Sequence, residues 1–513
     1  MNILLLYPKF PPSFWSFDKT IALMGKKAFM PPLGLITVAA MLPLHWECRL
    51  VDCNVREVSG EDWDWADLVM ISGMIAQRKD FMVQIKTARD RGKRSAVGGP
   101  YVSSCPEHFE AAGADFIVMD EGELTVPLLV RALEQGQTSG RFSAQGQRPD
   151  MSMTPLPRYD LLTMDAYSVM PVQFSRGCPF KCEFCDIIVL YGQKVRTKSN
   201  AQVLAELNRL FDLGWRDMVF LVDDNFIGNK KRVKGLLQDL LPWMQEKGYP
   251  FSFNTEASVN LASDRELMDL MVRCNFGSVF VGIETPDEES LKITGKTQNM
   301  QGSLLDSVRK IMDAGIRVMA GFIIGFDNEA PGAGERIVSF VEQAAIPIAA
   351  FSMLQVLPGT ALEKRLLAEG RMSDRSGDIS YSTLINFTPS RPVAEIAREF
   401  MDGFWALYEP ETYIDRVYRC YRILGKVDFP PKNREHNKIG YKGIKALLVL
   451  IWRLGVRSSY RKKFWQRLFN VLRENPGGLA SFLSVLAQLD HFMAYRQVVR
   501  DQIQAQLVRV RPS

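Results

Sequence analysis

The chain reads as an α/β protein in three parts: an N-terminal doubly wound domain, a central partial (β/α)6 barrel and a mostly helical C-terminal domain. Three observations predict this. Short β-rich runs alternate with amphipathic stretches through residues 1–140, and the same alternation resumes at Val172. Between the blocks, Gln135–Pro157 carries Gly136, Gly140, Gly146, Pro149, Pro155 and Pro157 with little periodicity, the composition of a linker. From Arg391 the strand-like runs cease and helical spacing takes over. Alternating patterns place parallel strands under covering helices, so the boundaries are drawn at 1–140, 141–170 for the linker, 171–390 and 391–513.

A length of 513 residues suits two or three domains, and 47% hydrophobic with 24% charged residues is a soluble globular balance. Eight cysteines are too few for a disulfide scaffold. Five of them (Cys48, Cys53, Cys105, Cys274 and Cys420) are scattered, which points to a reducing cytoplasm and a single cluster. The start, MNILLLYPKFPP, lacks a basic leader and a small-residue cleavage site, and reads as a first strand. No apolar run approaches the roughly 20 residues that span a bilayer. The net charge of +5 is unevenly spread: from Gly440 onward four Lys and nine Arg face two Asp and one Glu, a balance of +10, so Met1–Ile439 carries −5.

In the first block the strands are Asn2–Tyr7, Arg49–Asp52, Leu68–Gly73, Ser95–Gly98 and Asp115–Met119, with helical stretches such as Phe81–Arg91 and Pro106–Ala112 between them. Ligands of open α/β sheets sit outside the carboxyl ends of the strands. Those ends carry Pro8, Ser72-Gly73, Gly98-Gly99-Pro100 and Glu121-Gly122-Glu123, where glycine lets a large or phosphate-bearing ligand approach the backbone. No G-x-G-x-x-G follows the first strand, so a dinucleotide is poorly supported; a domain with no ligand is the plain alternative.

The second block predicts strands at Val172–Phe174, Met218–Val222, Phe251–Asn254, Ser278–Gly282, Val318–Ile324 and Ala349–Gln355. Helices are expected at Ala201–Leu213, Lys230–Lys247, Asp264–Arg273, Gly302–Ala314 and Gly334–Ala345, giving about six βα units. Polar residues follow the strands: Asp223-Asp224-Asn225, Thr255-Glu256, Glu284-Thr285, Gly325-Phe326-Asp327 and Pro358-Gly359-Thr360. One acidic residue after a strand is usually a helix cap, and Asp287 is read so. Four successive strand ends bearing Asp or Glu argue for a shared site on the face where barrel enzymes build theirs.

The stretch FSRGCPFKCEFCDI places Cys178, Cys182 and Cys185 in C-x3-C-x2-C spacing on one tight loop. Three thiolates can hold three corners of a [4Fe–4S] cluster, leaving the fourth iron open to a small molecule. A zinc loop, or three unrelated buried thiols, would account for the same residues.

The tail opens with RPVAEIAREFMDGFWALYEPETYIDRV, a strong helix followed by a second, in which Met401, Phe404, Trp405 and Tyr408 recur at the spacing of a core-facing stripe. After the loop Lys426–Lys438, three more helical patterns are broken at Gly455 and at Asn475–Gly478. Trp452, Phe464 and Trp465 stand among Arg453, Arg457, Arg461, Lys462 and Lys463, a mixture suited to the interface of an anionic membrane. Nucleic acid is not expected, since no recognition motif accompanies the charge. A helical cap with a solvated basic face is the plain alternative.

The cysteine loop resembles that of the radical S-adenosylmethionine (SAM) enzymes. Together with Pro31-Pro32-Leu33-Gly34, YPKFPPSFWSF, VDDNFIGNK, TEASVNLA, GIETP, GFIIGFD and LPGTAL, the whole chain resembles the cobalamin (vitamin B12)-dependent radical SAM enzymes. Within them it is most similar to the hopanoid C-2 methylase subgroup with its uncharacterised C-terminal domain. The resemblance implies a [4Fe–4S] cluster on Cys178, Cys182 and Cys185 whose open iron is chelated by SAM. It implies SAM contacts from Phe184, Asp223, Asp224, Glu256, Glu284 and Gly325, and a cobalamin site at Ser72, Gly73, Gly98, Gly99, Glu121 and Gly122. It departs from many cobalamin domains in lacking D-x-H-x-x-G: none of His45, His108, His436 and His491 lies in such a motif, so the lower face of cobalamin is not expected to be held by histidine. The implied activity is methylation of an unactivated carbon of an apolar, polycyclic lipid, the methyl passing from one SAM through cobalamin to a carbon radical made with a second SAM. Alternatives are a cobalamin-dependent radical oxidation or cyclisation, or a non-catalytic sensor. The implied partners are a small apolar substrate and an electron donor such as flavodoxin or ferredoxin. The implied location is the cytoplasm, peripheral to the inner face of the membrane.

Overall fold

A computed structural model describes residues 1–373, 379–380, 382–425 and 441–510. The loop Lys426–Lys438 and His436 lie outside the described residues. The chain forms two compact units. The first comprises Met1–Pro12, Lys27–Cys178 and Asp186–Trp215; the second comprises Ser13–Lys26, Pro179–Cys185 and Arg216–Ser513. The division differs from the four parts drawn from composition, because the expected linker and tail both carry core residues.

The first unit is built on β1 (Asn2–Tyr7), β2 (Glu47–Asp52), β3 (Leu68–Ser72), β4 (Arg94–Gly98), β5 (Phe116–Val118) and β6 (Gly140–Phe142). They are parallel, in the order β2-β1-β3-β4-β5-β6. Alternation along each strand feeds two cores. Leu4, Leu6, Val69, Ile71 and Val97 meet Phe81 and Ile85 on one face, while Ile3, Leu5, Leu68, Met70 and Ala96 meet Leu35 and Leu129 on the other. A sheet covered on both faces explains why β1 reads as an unbroken apolar run. The order reverses between β1 and β3, and such a switch point opens a crevice at the strands' carboxyl ends.

Five predicted strands are present within two residues of their expected ends; β6 falls where a linker was expected. The Gly- and Pro-rich segment is ordered by burial: Met151 and Tyr159 are core residues, and the Tyr159 hydroxyl donates to Pro171 O at 2.8 Å. Short strands β7 (Met170–Val172), β8 (Ser175–Arg176) and β9 (Arg196–Thr197) complete the unit, β8 and β9 antiparallel.

The second unit carries β10 (Met218–Leu221), β11 (Ser252–Ala257), β12 (Phe276–Glu284), β13 (Arg317–Ile324) and β14 (Ile348–Met353), parallel and in sequence order across the sheet. Val279, Val281, Val318, Ala320 and Phe322 are buried on one face. Half-exposed Asn254, Glu256, Phe280, Gly282, Met319 and Gly321 alternate with them and line the other. The expected helices are all found, and Asp287 is the cap it was read as, its carboxylate accepting from Ser290 N at 2.9 Å.

The tail closes this sheet instead of forming a separate body. The helix Val393–Leu407 packs against β14 and the helix Ala333–Ala344. Its C-cap Tyr408 clasps the β14 backbone: the hydroxyl donates to Ala349 O at 2.7 Å and accepts from Ala349 N at 3.1 Å. This side chain supplies what a neighbouring strand would, at an edge that otherwise invites pairing. Phe404 and Tyr408 are buried, as the core reading of the aromatic stripe expected. Gly334 is required where the two helices meet, since a Cβ there would lie 2.5 Å from Glu399 O.

The helix does not break at Gly455. It widens instead into a π-helix, Ile451–Arg457, and ends at extended Ser458. Trp465 packs on Gly455: its ring would stand 3.0 Å from a Cβ there, and its indole N–H donates to Gly455 O at 2.8 Å. The expected break at Asn475–Gly478 is present, with Asn475 accepting from Gly478 N.

Candidate functional site

At the carboxyl ends of β10, β11 and β12 the second unit gathers Asp223, Asp224, Glu256 and Glu284. Asp223 and Glu284 are buried; Asp224 and Glu256 are half-buried. Burial first, then the charges of Asp224, Asp223 and Glu284, push the Glu256 carboxyl up to about 8. Burial and neighbouring carboxylates both disfavour its charged form. The fourth acidic strand end does not join them: Asp327 pairs with Arg365 at 2.8 Å and Arg371 at 2.6 Å. Thr360 is a helix cap that accepts from Glu363 N.

Glu284 sits after a register shift between β12 and β13, with φ of 65°. A non-glycine residue in the left-handed region stores strain, a recurrent feature of working sites. Its carboxylate pairs with buried Lys296, and a Cβ on Gly282 would lie 2.6 Å from the Lys296 Nζ. Burial pushes Lys296 down, but Glu284 and the Cys182 and Cys185 sulfurs hold it above its usual value. Its ammonium lies 5.8 Å from the Phe184 ring centroid, and Phe184 lies 5.9 Å from Phe326.

Gly177, with φ of 91°, precedes Cys178; a side chain there would press within 2.8 Å of Gly192 O. Cys178 N donates to Gly192 O at 3.3 Å. Cys182 is buried and Cys185 half-buried, Cys185 N donating to Cys182 O. The Gln298 amide donates toward Cys182 Sγ at 3.8 Å, a contact that stabilises sulfur carrying negative charge. A loop of thiols with an N–H donor and a lysine beside it fits an anionic iron–sulfur cluster. The adjoining excess of carboxylates fits a ligand bearing ammonium and sulfonium charges, as SAM does. Gly325 contributes backbone only: the space of its missing side chain is filled by Ile385, 2.7 Å from a Cβ there, and its N–H goes to Glu329 at 2.8 Å.

In the first unit the switch-point strand ends are Tyr7-Pro8 and Ser72-Gly73. Pro8 O accepts from Gln77 at 2.5 Å and Asn54 at 3.3 Å, which fixes the loop after β1. Gly99 has φ of 98°, and a Cβ there would meet Ser72 Oγ at 2.4 Å; on Gly98 it would meet Val118 O at 3.3 Å. These glycines are needed for strand-end packing. The row Ser72-Gly73 and Gly98-Gly99 presents nothing larger than a serine hydroxymethyl, which fits a broad planar ligand lying against backbone. The buried Glu121 carboxylate is engaged by Arg176 at 2.7 Å, Arg196 at 2.8 Å and Arg148 at 3.6 Å. Glu123 pairs with Arg176 at 2.9 Å. Gly122 N-terminates the helix Gly122–Glu134, where a Cβ would approach Val126 at 3.3 Å. His108 is bonded to the Tyr101 hydroxyl and His491 to Phe14 O, while His45 is exposed.

Lys296 and Gln298 were not anticipated from sequence. They lie in a turn without periodicity, GKTQNM, and only the loop's folding toward Cys182 gives them a role.

Residues 26–130 match the B12 binding domain, 172–341 the radical SAM superfamily and 360–505 a domain of unknown function. A hopanoid C-2 methylase from Rhodopseudomonas palustris is 35% identical over 96% of this chain and 93% of its own. The chain belongs to the cobalamin-dependent radical SAM methyltransferases. An uncharacterised methyltransferase of Synechocystis is 56% identical over 99% of this methyltransferase and 94% of the relative. Among solved structures, the cobalamin-dependent radical SAM enzyme OxsB, with aqua-cobalamin and SAM bound, matches at TM-score 0.62 and 16% identity over 100% of this chain and 82% of its own. TsrM from Kitasatospora setae, a radical SAM methyltransferase with tryptophan and a SAM analogue, matches at TM-score 0.61 and 16% identity over 92% of this chain and 98% of its own. At such identity the structures establish the fold alone. The cofactors of this methyltransferase are a [4Fe–4S] cluster, SAM and cobalamin.

Proposed function

We propose that this methyltransferase methylates an unactivated carbon of an apolar, polycyclic lipid of the hopanoid type. The observation that carries this is the 35% identity to a hopanoid C-2 methylase across nearly the full length of both chains, tail included. Cys178, Cys182 and Cys185 hold the cluster, and residues 1–140 hold cobalamin against the Ser72-Gly73 and Gly98-Gly99 strand ends, with Gly122 contributing backbone. When bound, the three cofactors supply a methyl group and a radical able to remove a hydrogen from carbon.

The chain's own residues orient and neutralise. Asp223, Asp224 and Glu256 receive the positive charge of SAM, and Glu256 gives up its proton as that charge arrives. Phe184 would lie beside the adenine of bound SAM, and Gly325, its N–H held by Glu329, would offer its carbonyl side to the adenine edge. Lys296 keeps Glu284 in its strained position and balances charge beside the cluster cysteines. An electron donor such as flavodoxin or ferredoxin would reduce the bound cluster. Because a polycyclic lipid resides in a bilayer, the enzyme works in the cytoplasm at the membrane's inner face.

The test is incubation of reconstituted, reduced enzyme with SAM and hopanoid. Methylated lipid should form with 5′-deoxyadenosine and S-adenosylhomocysteine in matched amounts. 5′-Deoxyadenosine formed without any methylated lipid, across hopanoid substrates, would overturn the substrate class.

A further inference from the structure

Eighteen large hydrophobic side chains are exposed among the described residues, and seven of them lie between Ile444 and Leu472. Ile444, Leu447, Leu448, Trp452 and Val456 recur at the spacing of one helix face, along Tyr441–Leu450 and its π-helical continuation. Leu448 is 64% exposed and Trp452 60%. Phe469 and Leu472 extend the surface on the next helix, Arg461–Glu474. They connect to the first through Trp465, which stacks on Phe469 at 5.7 Å and covers Gly455.

The composition differs from that read off the sequence. Phe464 is fully buried, and Trp465 is half-buried against Gly455. Lys463 and Arg467 are drawn to Asp415 at 2.8 and 2.6 Å, and Arg453 to Asp490 at 3.2 Å. Arg457, Arg461 and Lys462 are exposed. From Tyr441 to Arg473 the chain carries nine Lys and Arg and no Asp or Glu.

We propose that the apolar stripe Ile444–Val456, with the adjoining Phe469 and Leu472, docks this enzyme flat on an anionic lipid surface. Branched aliphatic side chains gain by leaving water for hydrocarbon, which a nucleic acid does not offer. The exposed Arg457, Arg461 and Lys462 beside them select an anionic surface over a neutral one. No described helix is long and apolar enough to cross a membrane, so the attachment is in the interface plane. The inference rests on the proposed function only for the reason a membrane is visited; the surface stands on its own residues.

Cosedimentation of the full-length, cluster-loaded enzyme with hopanoid-free phosphatidylcholine vesicles, with and without phosphatidylglycerol, tests it. Binding should require phosphatidylglycerol and weaken in high salt. Leu448→Glu and Trp452→Glu should each abolish it at unchanged melting temperature, because both positions are exposed. Arg457→Gln, Arg461→Gln and Lys462→Gln together should lower partitioning about 100-fold, about fivefold per charge. Enzyme that stays in the supernatant, or that pellets equally after Leu448→Glu and Trp452→Glu, overturns the proposal. So does light scattering showing a dimer that these two variants convert to monomer, since a second copy would then cover the stripe. SAM cleavage without vesicles should be unchanged in every variant. Failure of the methylation assay with membrane binding intact would count against the lipid substrate and not against this surface.

Discussion

Glu256 keeps its proton at neutral pH because it is buried and, after that, because Asp224, Asp223 and Glu284 stand near it, and the consequence is measurable without any substrate. An unfolded glutamate ionises near about 4.3, whereas the folded one does so at about 8. Between those values the unfolded chain has released the proton that the folded chain retains. Stability contributed by this group is therefore full below the lower value and lost as pH rises through the higher one. The SAM-free enzyme should melt at falling temperature across that window, and Glu256→Gln should melt a few degrees higher at pH 8 with a flatter profile. SAM should stabilise the wild type more at high pH than at low. A melting profile identical in Glu256→Gln and wild type would mean that burial and the neighbouring carboxylates do not hold the Glu256 proton. If, as proposed, each of Cys178, Cys182 and Cys185 holds one iron, substitution of any of them by Ala should abolish cluster absorbance and SAM cleavage. Cys274→Ala, a buried thiol that only donates to Leu237 O at 3.4 Å, should keep its iron. These residues were legible because strand ends and cysteine spacing are local patterns. Lys296 and the arginines on Glu121 were not, because their partners are brought close only by folding.

Secondary elements were read correctly where one face is buried and misread where composition alone was the guide. Strands β10, β11 and β13 alternate between half-exposed and buried positions, so periodicity located them, while β14 reads as a nearly continuous buried run. Gly455 stays inside the π-helix Ile451–Arg457, bonded by Trp465 ten residues on, and the chain leaves the helix at Ser458, three residues past the break that glycine composition suggested. Likewise β6 pairs with β5 through backbone, which composition does not reveal. Two elements yield predictions. Tyr408→Phe removes both partners of Ala349 at the edge of β14, and each buried group left unsatisfied costs about 1–3 kcal/mol. A melting temperature unchanged by that substitution would mean the clasp does not hold the edge. Arg176→Met strands Glu123 and weakens the hold on Glu121, and breaking a buried pair costs about 3–5 kcal/mol. Denaturant titration should show a lower midpoint at unchanged slope.

The whole-molecule organisation was legible as a succession of parts and not as their grouping. Composition separates residues 391–513 as a basic helical tail, and charge does change sign there. Yet Asp415 recruits Lys463 and Arg467, so part of the charge serves internal packing. The helix Val393–Leu407 covers β14, with Phe351 and Phe400 rings 5.0 Å apart. Phe14, from the N-terminal segment Ser13–Lys26, stacks on Phe492 at 4.9 Å within the same unit. A partial barrel has an open edge, and here the tail covers it. Truncation after Ser390 should therefore expose β14 and the apolar face that Phe400 and Phe404 bury, and give aggregated protein without a cluster. Hydrogen exchange on the intact enzyme should show β14 and Val393–Leu407 opening as one cooperative unit. A soluble, monomeric 1–390 fragment that takes up iron and cleaves SAM would make the tail an accessory domain. The barrel would then have to satisfy its own edge, and the Tyr408 clasp would be a consequence of docking and not a condition of folding.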